Sequence, residues 1–257
     1  TGFYANIHWS PDSKKICFAD NGRNLYLLDV ASGNQQKIDA DELYVPGAFR
    51  EQFGDWSPDS KWLVYTKVTG TFFKKAILYS VDQNKSFPVT DGLSDVSEPI
   101  FDRGGKYLFF FASTDAGPVV NWFHQSNNDT RSTNSIYLLT LQKETISPFA
   151  KESDEETKGQ DTAKAGKKTS EPFRIDLDGI QERTIDIPLK AGNYHGLGMG
   201  KEGELLYVVY GYDGGAGMLH KYDIKKRKDN EVMELDGYII AADGKKMLYN
   251  KSGAWGI

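Results

Sequence analysis

The residues that most often carry acid–base, nucleophilic or metal chemistry are scattered along this chain. Its four histidines, His8, His124, His195 and His220, do not show the spacing of paired metal ligands. The single cysteine, Cys17, lies in an apolar run, where a buried and inert thiol is more typical than a nucleophile. The pattern therefore predicts no metal ligand and no reactive cysteine.

Motifs for other chemistry are missing or incomplete. The sequence has no Gly-x-Ser-x-Gly nucleophile elbow and no phosphate-binding Gly-x-x-x-x-Gly-Lys-Ser/Thr loop. The stretch Asp176–Gly179 imitates part of a calcium loop, but that alignment puts Arg174 and Ile185 where acidic ligands are needed. A serine, a histidine and an aspartate assembled from distant segments is the catalytic alternative that spacing leaves open. We predict no catalytic residue and no cofactor.

An internal repeat reveals the elements that would position any functional side chain. The hexapeptide Trp-Ser-Pro-Asp-Ser-Lys occurs at Trp9–Lys14 and again at Trp56–Lys61. Three weaker copies follow, at Phe101–Lys106, Met199–Glu204 and Ala242–Lys246. A turn followed by a run of β-branched and aromatic residues predicts a β-hairpin at each copy.

Each predicted hairpin is the start of a larger unit. A more polar fourth strand, such as Ser86–Thr90, closes the unit. Four short strands in about 40–50 residues are typical of a propeller blade. We therefore predict an all-β fold, a β-propeller of four-stranded antiparallel blades, with an ordinary β-sandwich as the less favoured alternative. Third-strand signals follow four of the hairpins: Asn24–Val30, Ala76–Val81, Ser135–Leu141 and Met218–Ile224.

About four blades and part of a fifth are predicted. The last unit ends after its second strand signal, so we expect a fragment whose ring is either open or completed by chain outside it. Trp9, Trp56 and Phe101 recur at one position of the repeat and are expected to fill the space between adjacent blades. The predicted blades cover residues 1–45, 46–92, 93–190, 191–235 and 236–257.

The third predicted blade carries insertions. Residues 151–172 are charged, contain no aromatic residue and are expected to form a flexible surface loop, with a charged helix or a regulatory tail as alternatives. Residues 173–189 alternate apolar and polar on both sides of Asp178-Gly179, which predicts two strands and a turn. The aromatic segment Val119–His124 is expected to pack on the propeller or, alternatively, to contact another domain.

Binding is a more reasonable expectation than catalysis, because the innermost strand of each propeller blade lines a central channel. In or beside the predicted innermost strands lie His8, Asp55, Glu98, Tyr194 and His195. We predict that these residues face the channel or contact a peptide. The alternative is that their polar groups bond to backbone groups at the ends of neighbouring blades.

Composition narrows the class of partner. The formal net charge of −5 lacks the basic footprint of a nucleic-acid-binding protein. No apolar stretch approaches the roughly 18 residues that span a bilayer, and one cysteine permits no intrachain disulfide. We therefore expect no nucleic-acid partner and no membrane span.

Several segments of the chain are similar to tricorn-type serine proteases and their bacterial homologues. They are Ser147-Pro148-Phe149 with the acidic run Asp154–Glu156, then Ile175–Ile180 with Arg183, then Gly192-Asn193-Tyr194. The Ser-Pro-Asp repeats are shared by many bacterial propellers, so the block around the charged linker is the more specific part.

The resemblance is to the second propeller of that family. It implies a noncatalytic part of a serine peptidase that gates or guides peptides and scaffolds the protease core. The implied partners are peptides and the other domains of the parent, a PDZ domain and a catalytic core, with assembly into a homo-oligomer through the parent. A cytoplasmic location follows from the resemblance, and a periplasmic one is the alternative.

Two other functions remain as alternatives at this point. One is a stand-alone periplasmic propeller that binds a protein partner, similar to the propeller of the Tol system. The other is a propeller attached to a hydrolase of the prolyl-oligopeptidase kind, which would need a nucleophile elbow downstream.

Overall fold

The chain folds into β-sheet almost throughout. The computed structural model describes residues 2–44, 52–113, 133–150, 173–211 and 215–257. Within them, nineteen strands form five antiparallel sheets that follow one another in chain order, and one short 3-10 helix spans Ile180–Arg183. The architecture is a β-propeller, which confirms the predicted all-β fold.

The first three sheets each have four strands. The first is β1 Tyr4–Trp9, β2 Lys15–Asp20, β3 Asn24–Asp29 and β4 Gln35–Ala40. The second is β5 Phe53–Trp56, β6 Trp62–Val68, β7 Lys74–Ser80 and β8 Lys85–Pro88. The third is β9 Asp95–Phe101, β10 Tyr107–Ser113, β11 Ser135–Thr140 and β12 Thr184–Asp186.

The last two sheets differ in strand number. The fifth has three strands, one more than the two strand signals read from the sequence. The fourth sheet is β13 Tyr194–Met199, β14 Glu204–Val209, β15 Gly217–Asp223 and β16 Lys228–Leu235. The fifth is β17 Gly237–Ile240, β18 Met247–Lys251 and β19 Ala254–Gly256.

The repeated hexapeptide forms the turn between the first and second strands of a blade. In the first blade, the Ser10 hydroxyl donates to Asp12 Oδ1 at 2.6 Å, and Ser13 takes the left-handed conformation at φ 58°. The second blade repeats this at Ser57 and Asp59, also at 2.6 Å. The two turns are also joined, because Asp12 N–H donates to Ser60 Oγ at 3.0 Å.

The weaker copies of the repeat keep the left-handed position with glycine. Gly105, Gly203 and Gly244 have φ values of 68°, 83° and 68°. Glycine adopts positive φ without a steric penalty, so the turn survives although the serine and proline are lost.

The core consists of layers between neighbouring sheets. Along β10, Leu108 and Phe110 pack in the cluster shared with the second sheet, and Phe109 and Phe111 pack in the cluster shared with the fourth. Successive residues of a strand point to opposite faces, so a sheet buried on both faces needs an apolar residue at nearly every position. The almost continuous apolar run of β10 meets that need.

The prediction that the repeated aromatic residue fills the space between blades is right for two copies and wrong for the first. Trp56 and Phe101 are 5% and 3% exposed, whereas Trp9 is 54% exposed. Trp56 packs in the cluster between the first and second sheets, which is the side facing the preceding blade. The first sheet has no preceding blade among the described residues, so no neighbouring sheet covers Trp9 on that side.

Of the two strands predicted around Asp178-Gly179, the first is wrong, whereas the second half contains β12 at Thr184–Asp186. Residues 173–177 are irregular, Gly179 is left-handed at φ 64°, and the helix Ile180–Arg183 leads into β12. Arg183 donates to the carbonyls of Thr140 at 3.0 Å and of Asp178 at 2.9 Å. These bonds tie Arg183 to the end of β11 and to the turn before the helix.

Two sequence expectations fall on other parts of the chain. The charged segment 151–172 and the aromatic segment Val119–His124 lie outside the described residues.

Candidate functional site

Four of the five innermost strands share one irregularity. Each of β1, β5, β9 and β13 contains an extra residue relative to its partner strand, and the pairing register shifts there. Asn6, Glu98 and Gly196 take positive φ at these β-bulges, at 54°, 49° and 63°. A bulge bends its strand and re-aims the neighbouring side chains, so these bulges shape the inner surface of the propeller.

A central cavity of about 850 Å³ opens between the innermost strands of all five sheets. That volume lies within the range of about 300–1,000 Å³ that is usual for ligand sites. The wall includes apolar side chains and glycines, together with residues of the turns that join first and second strands. Among the lining residues are His8, Asp55, Ile100, Asp102, Arg103, His195, Tyr210, Gly237, Tyr238 and Ile240.

The structure brings three of the five sequence-predicted residues to this wall, namely His8, Asp55 and His195. Tyr194 lies instead in the layer between the third and fourth sheets, 7% exposed, with its ring edge-on to Tyr207 at 5.1 Å. Its hydroxyl donates to a backbone carbonyl four residues earlier in the chain. Glu98 is half-buried beside the wall.

Asp55 joins the second sheet to the third. Its Oδ1 accepts the N–H of Trp56 at 2.8 Å, and its Oδ2 accepts the N–H of Phe101 at 3.1 Å. Burial of the carboxylate raises the pKa of Asp55 to about 7, against the opposing effect of these two donors and of the Arg103 charge. Asp55 therefore changes charge near neutral pH at a contact between blades.

Glu98 joins the third sheet to the fourth in a similar way. One carboxylate oxygen accepts the N–H of Leu197, in the bulge of β13, at 2.7 Å. The fifth sheet reaches the same bulge, because the Tyr238 hydroxyl donates to the carbonyl of Gly196 at 2.5 Å. Burial raises the pKa of Tyr238, and the Glu98 charge adds to this effect. Three sheets therefore meet at one bulge beside the cavity.

Arg103 is the residue of the wall that sequence reasoning missed. Its guanidinium donates to the carbonyls of Gly200 at 2.6 Å and Met199 at 3.1 Å in the fourth blade. The guanidinium also donates to the carbonyls of Ala241, at 3.2 Å, and of Ala242 in the fifth blade. The available signal was positional, since Arg103 stands where the two strong repeats have proline.

The two histidines of the wall have different surroundings. Burial lowers the pKa of His8. The His195 Nε2 lies 3.0 Å from Asn193 Oδ1, and its ring lies edge-on to Tyr210 at 5.5 Å.

Two further kinds of feature are absent from the described residues. No group of three or more histidine, cysteine, aspartate or glutamate side chains is placed to hold a metal ion. In the same ranges, no helix has the length and apolar character needed to cross a membrane.

The fold and the cavity define a β-propeller whose blades stand side by side round a central space. The family model described as the tricorn protease second beta propeller domain matches residues 1–256. The chain therefore belongs to that family, as its resemblance to tricorn-type proteases predicted.

Curated relatives carry matching names. A putative Tricorn-like protease C-terminal subunit of Sulfurisphaera tokodaii is 25% identical over 96% of this chain and 27% of its own length. A tricorn protease homolog of Saccharolobus solfataricus is 24% identical over 93% of this chain and 21% of its own length. The chain thus spans about a quarter of the length of these relatives.

Solved structures show the same fold. The crystal structure of the tricorn protease has a TM-score of 0.72 at 20% identity, over 96% of this chain and 24% of that one. TolB from Acinetobacter baumannii has a TM-score of 0.60 at 15% identity, over 98% of this chain and 50% of that one. At these identities the likeness establishes the fold alone.

Proposed function

We propose that this propeller guides peptides to and from the catalytic core of a tricorn-like serine peptidase and helps to scaffold that core. Its partners in this proposal are peptides and the other domains of the parent, including a PDZ domain and the protease core. We also propose that the parent protein is cytoplasmic and assembles as a homo-oligomer.

The observation that supports the proposal is the hydrogen bonding of backbone groups along the innermost strands. An extended peptide binds tightly to a sheet edge when it can pair with unused N–H and C=O groups. Here Asp55 and Glu98 accept the N–H groups of Phe101 and Leu197, and Tyr238 donates to the carbonyl of Gly196. These bonds occupy backbone groups that an added strand would need, so peptide contacts at this wall should be weak. Weak contacts suit passage better than retention.

Gly237 offers a position at which the cavity can be narrowed. It lines the cavity, and a Cβ built on it would meet no atom within 4 Å. We would introduce Gly237→Cys into the full-length parent, with other accessible cysteines of the parent replaced by serine, and label it with maleimides of increasing size. The chain's own Cys17 is completely buried and should not react.

The assay compares cleavage of long peptides with cleavage of a small chromogenic substrate. If peptides pass through the cavity, larger labels should slow the long peptides progressively and leave the small substrate nearly unaffected. The matched control is Gly70→Cys, on an exposed turn outside the cavity, where the added Cβ would meet only Glu42 Oε2 at 3.8 Å. Equal rates for labelled Gly237→Cys and labelled Gly70→Cys on all substrates would overturn the proposed function.

A further inference from the structure

The charged groups of the cavity wall are already engaged within the protein. Among the described lining residues, the charged side chains other than the two histidines are Asp55, Asp102 and Arg103. The Asp102 carboxylate accepts three backbone N–H groups of its own turn, at 2.6–3.1 Å. Arg103 directs its donors to carbonyls of the fourth and fifth blades.

The engaged charges are mostly negative. Asp55 and Asp102 lie in the wall, and Glu98 lies close enough that its charge adds to burial in raising the pKa of Tyr238. The one cation of the described wall, Arg103, donates to carbonyl oxygens of the fourth and fifth blades, and its positive charge opposes the rise in the pKa of Asp55. The N–H groups of Phe101 and Leu197 are taken by Asp55 and Glu98. An incoming carboxylate therefore meets carboxylates and finds the nearby donors already used.

The rest of the wall favours uncharged side chains. Ile100, Tyr210, Tyr238 and Ile240 come from three different sheets and present apolar surface to the cavity. Burying apolar area stabilises a complex by about 25 cal/mol per Å², whereas a charge removed from water without a partner is strongly disfavoured.

We propose that the cavity selects peptides by charge, admitting segments with neutral apolar or basic side chains and rejecting segments with acidic side chains. The inference rests on the proposed function, because it assumes that peptides are the occupants. Basic side chains are tolerated because three carboxylates in and beside the described wall, those of Asp55, Glu98 and Asp102, outnumber the single guanidinium of Arg103.

Protection of a cavity thiol tests this selectivity at the site itself. The full-length parent carrying Gly237→Cys would be treated with a serine-reactive inhibitor, so that added peptides are not cleaved. The rate of labelling by N-ethylmaleimide would then be measured against peptide concentration at slightly alkaline pH, above the pKa of about 7 of Asp55. The peptides form a matched set of one aromatic-rich sequence with Gln, Lys or Glu at its centre.

We expect the Gln and Lys peptides to slow labelling of the Gly237→Cys parent. The Glu peptide should need at least about tenfold higher concentration for the same protection, which corresponds to about 1.4 kcal/mol of binding free energy. Labelling of Gly70→Cys should be unaffected by any of them. Should Gly237→Cys fold poorly, Ala242→Cys provides a second thiol on the wall. Glu98→Gln, which removes one nearby negative charge, should narrow the difference between the Gln and Glu peptides.

Equal protection by the Glu and Gln peptides would overturn the charge selection. If larger labels at position 237 still slowed long peptides in the cleavage assay, the proposed function would stand without it. Absence of protection by all three peptides, together with unchanged cleavage by the labelled parent, would overturn both.

Discussion

Replacing Trp56 with alanine should cost far more stability than replacing Trp9, although both residues begin the same Trp-Ser-Pro-Asp-Ser-Lys repeat. Trp56 is 5% exposed, packs between the first and second sheets, and its indole N–H points to the carbonyl of His8 at 3.4 Å. Trp9 is 54% exposed. The pair therefore separates the effect of burial from the effect of the repeat sequence.

The size of the difference follows from the buried area. A buried tryptophan covers about 150–250 Å², which at about 25 cal/mol per Å² corresponds to roughly 4–6 kcal/mol. Truncations of large buried aromatic residues cost about 3–5 kcal/mol, and we expect Trp56→Ala to fall in that range. Trp9 buries about half of its surface and leaves no closed cavity when it is truncated, so Trp9→Ala should cost about 1–2 kcal/mol.

Urea denaturation of the 257-residue chain, followed by far-UV circular dichroism, measures both values. The midpoint should fall much further for Trp56→Ala, and the slope should match the wild type if only stability has changed. Equal losses for the two variants would refute the reasoning, because they would mean that Trp9 is as well packed as Trp56.

Three other variants and probes test contacts round the cavity and in the core. Asp55→Asn should remove a pH dependence of stability, because the folded pKa of Asp55, about 7, lies above the ordinary value of 3.8. Asp55 therefore makes the wild type less stable as pH rises from about 4 to 7, and the melting temperature of the variant should change less across that range. Arg103→Ala should lower the free energy of unfolding, measured by urea titration, by about 1–3 kcal/mol, because it leaves carbonyls of two blades without their donors. The control Lys106→Ala, in the same turn, should change that free energy by less than about 0.5 kcal/mol. The Cys17 thiol, whose pKa is raised by burial, should react with a disulfide reagent only after denaturant is added; rapid reaction in the native chain would contradict its packing.

The local units of this protein are encoded by short stretches of its sequence. The turn of the repeat is encoded within six residues, because the Ser10–Asp12 and Ser57–Asp59 bonds and the left-handed residue at the end of each turn are local. Strand signals at a regular spacing then define blades, and a blade sequence has few architectures available to it. The propeller fold could therefore be predicted from the chain alone, whereas the family was predicted from the resemblance of the segments around the charged linker.

The surroundings of each copy of the unit depend on contacts between blades. Trp9 and Trp56 begin the same hexapeptide, but their burial differs. Trp56 faces a preceding blade, whereas Trp9 has none among the described residues. Residues 173–183 alternate like a strand, but the bonds of Arg183 and the burial of Ile180 hold them in another conformation.

The candidate site shows the same division. Innermost strands containing Asp55, Glu98 and His195 could be predicted from the repeat, but the partners of the two carboxylates are N–H groups 46 and 99 residues further along the chain. Arg103 reaches carbonyls 97 and 138 residues away. Contacts over such separations depend on how neighbouring blades are placed, and no local pattern of residues encodes that placement.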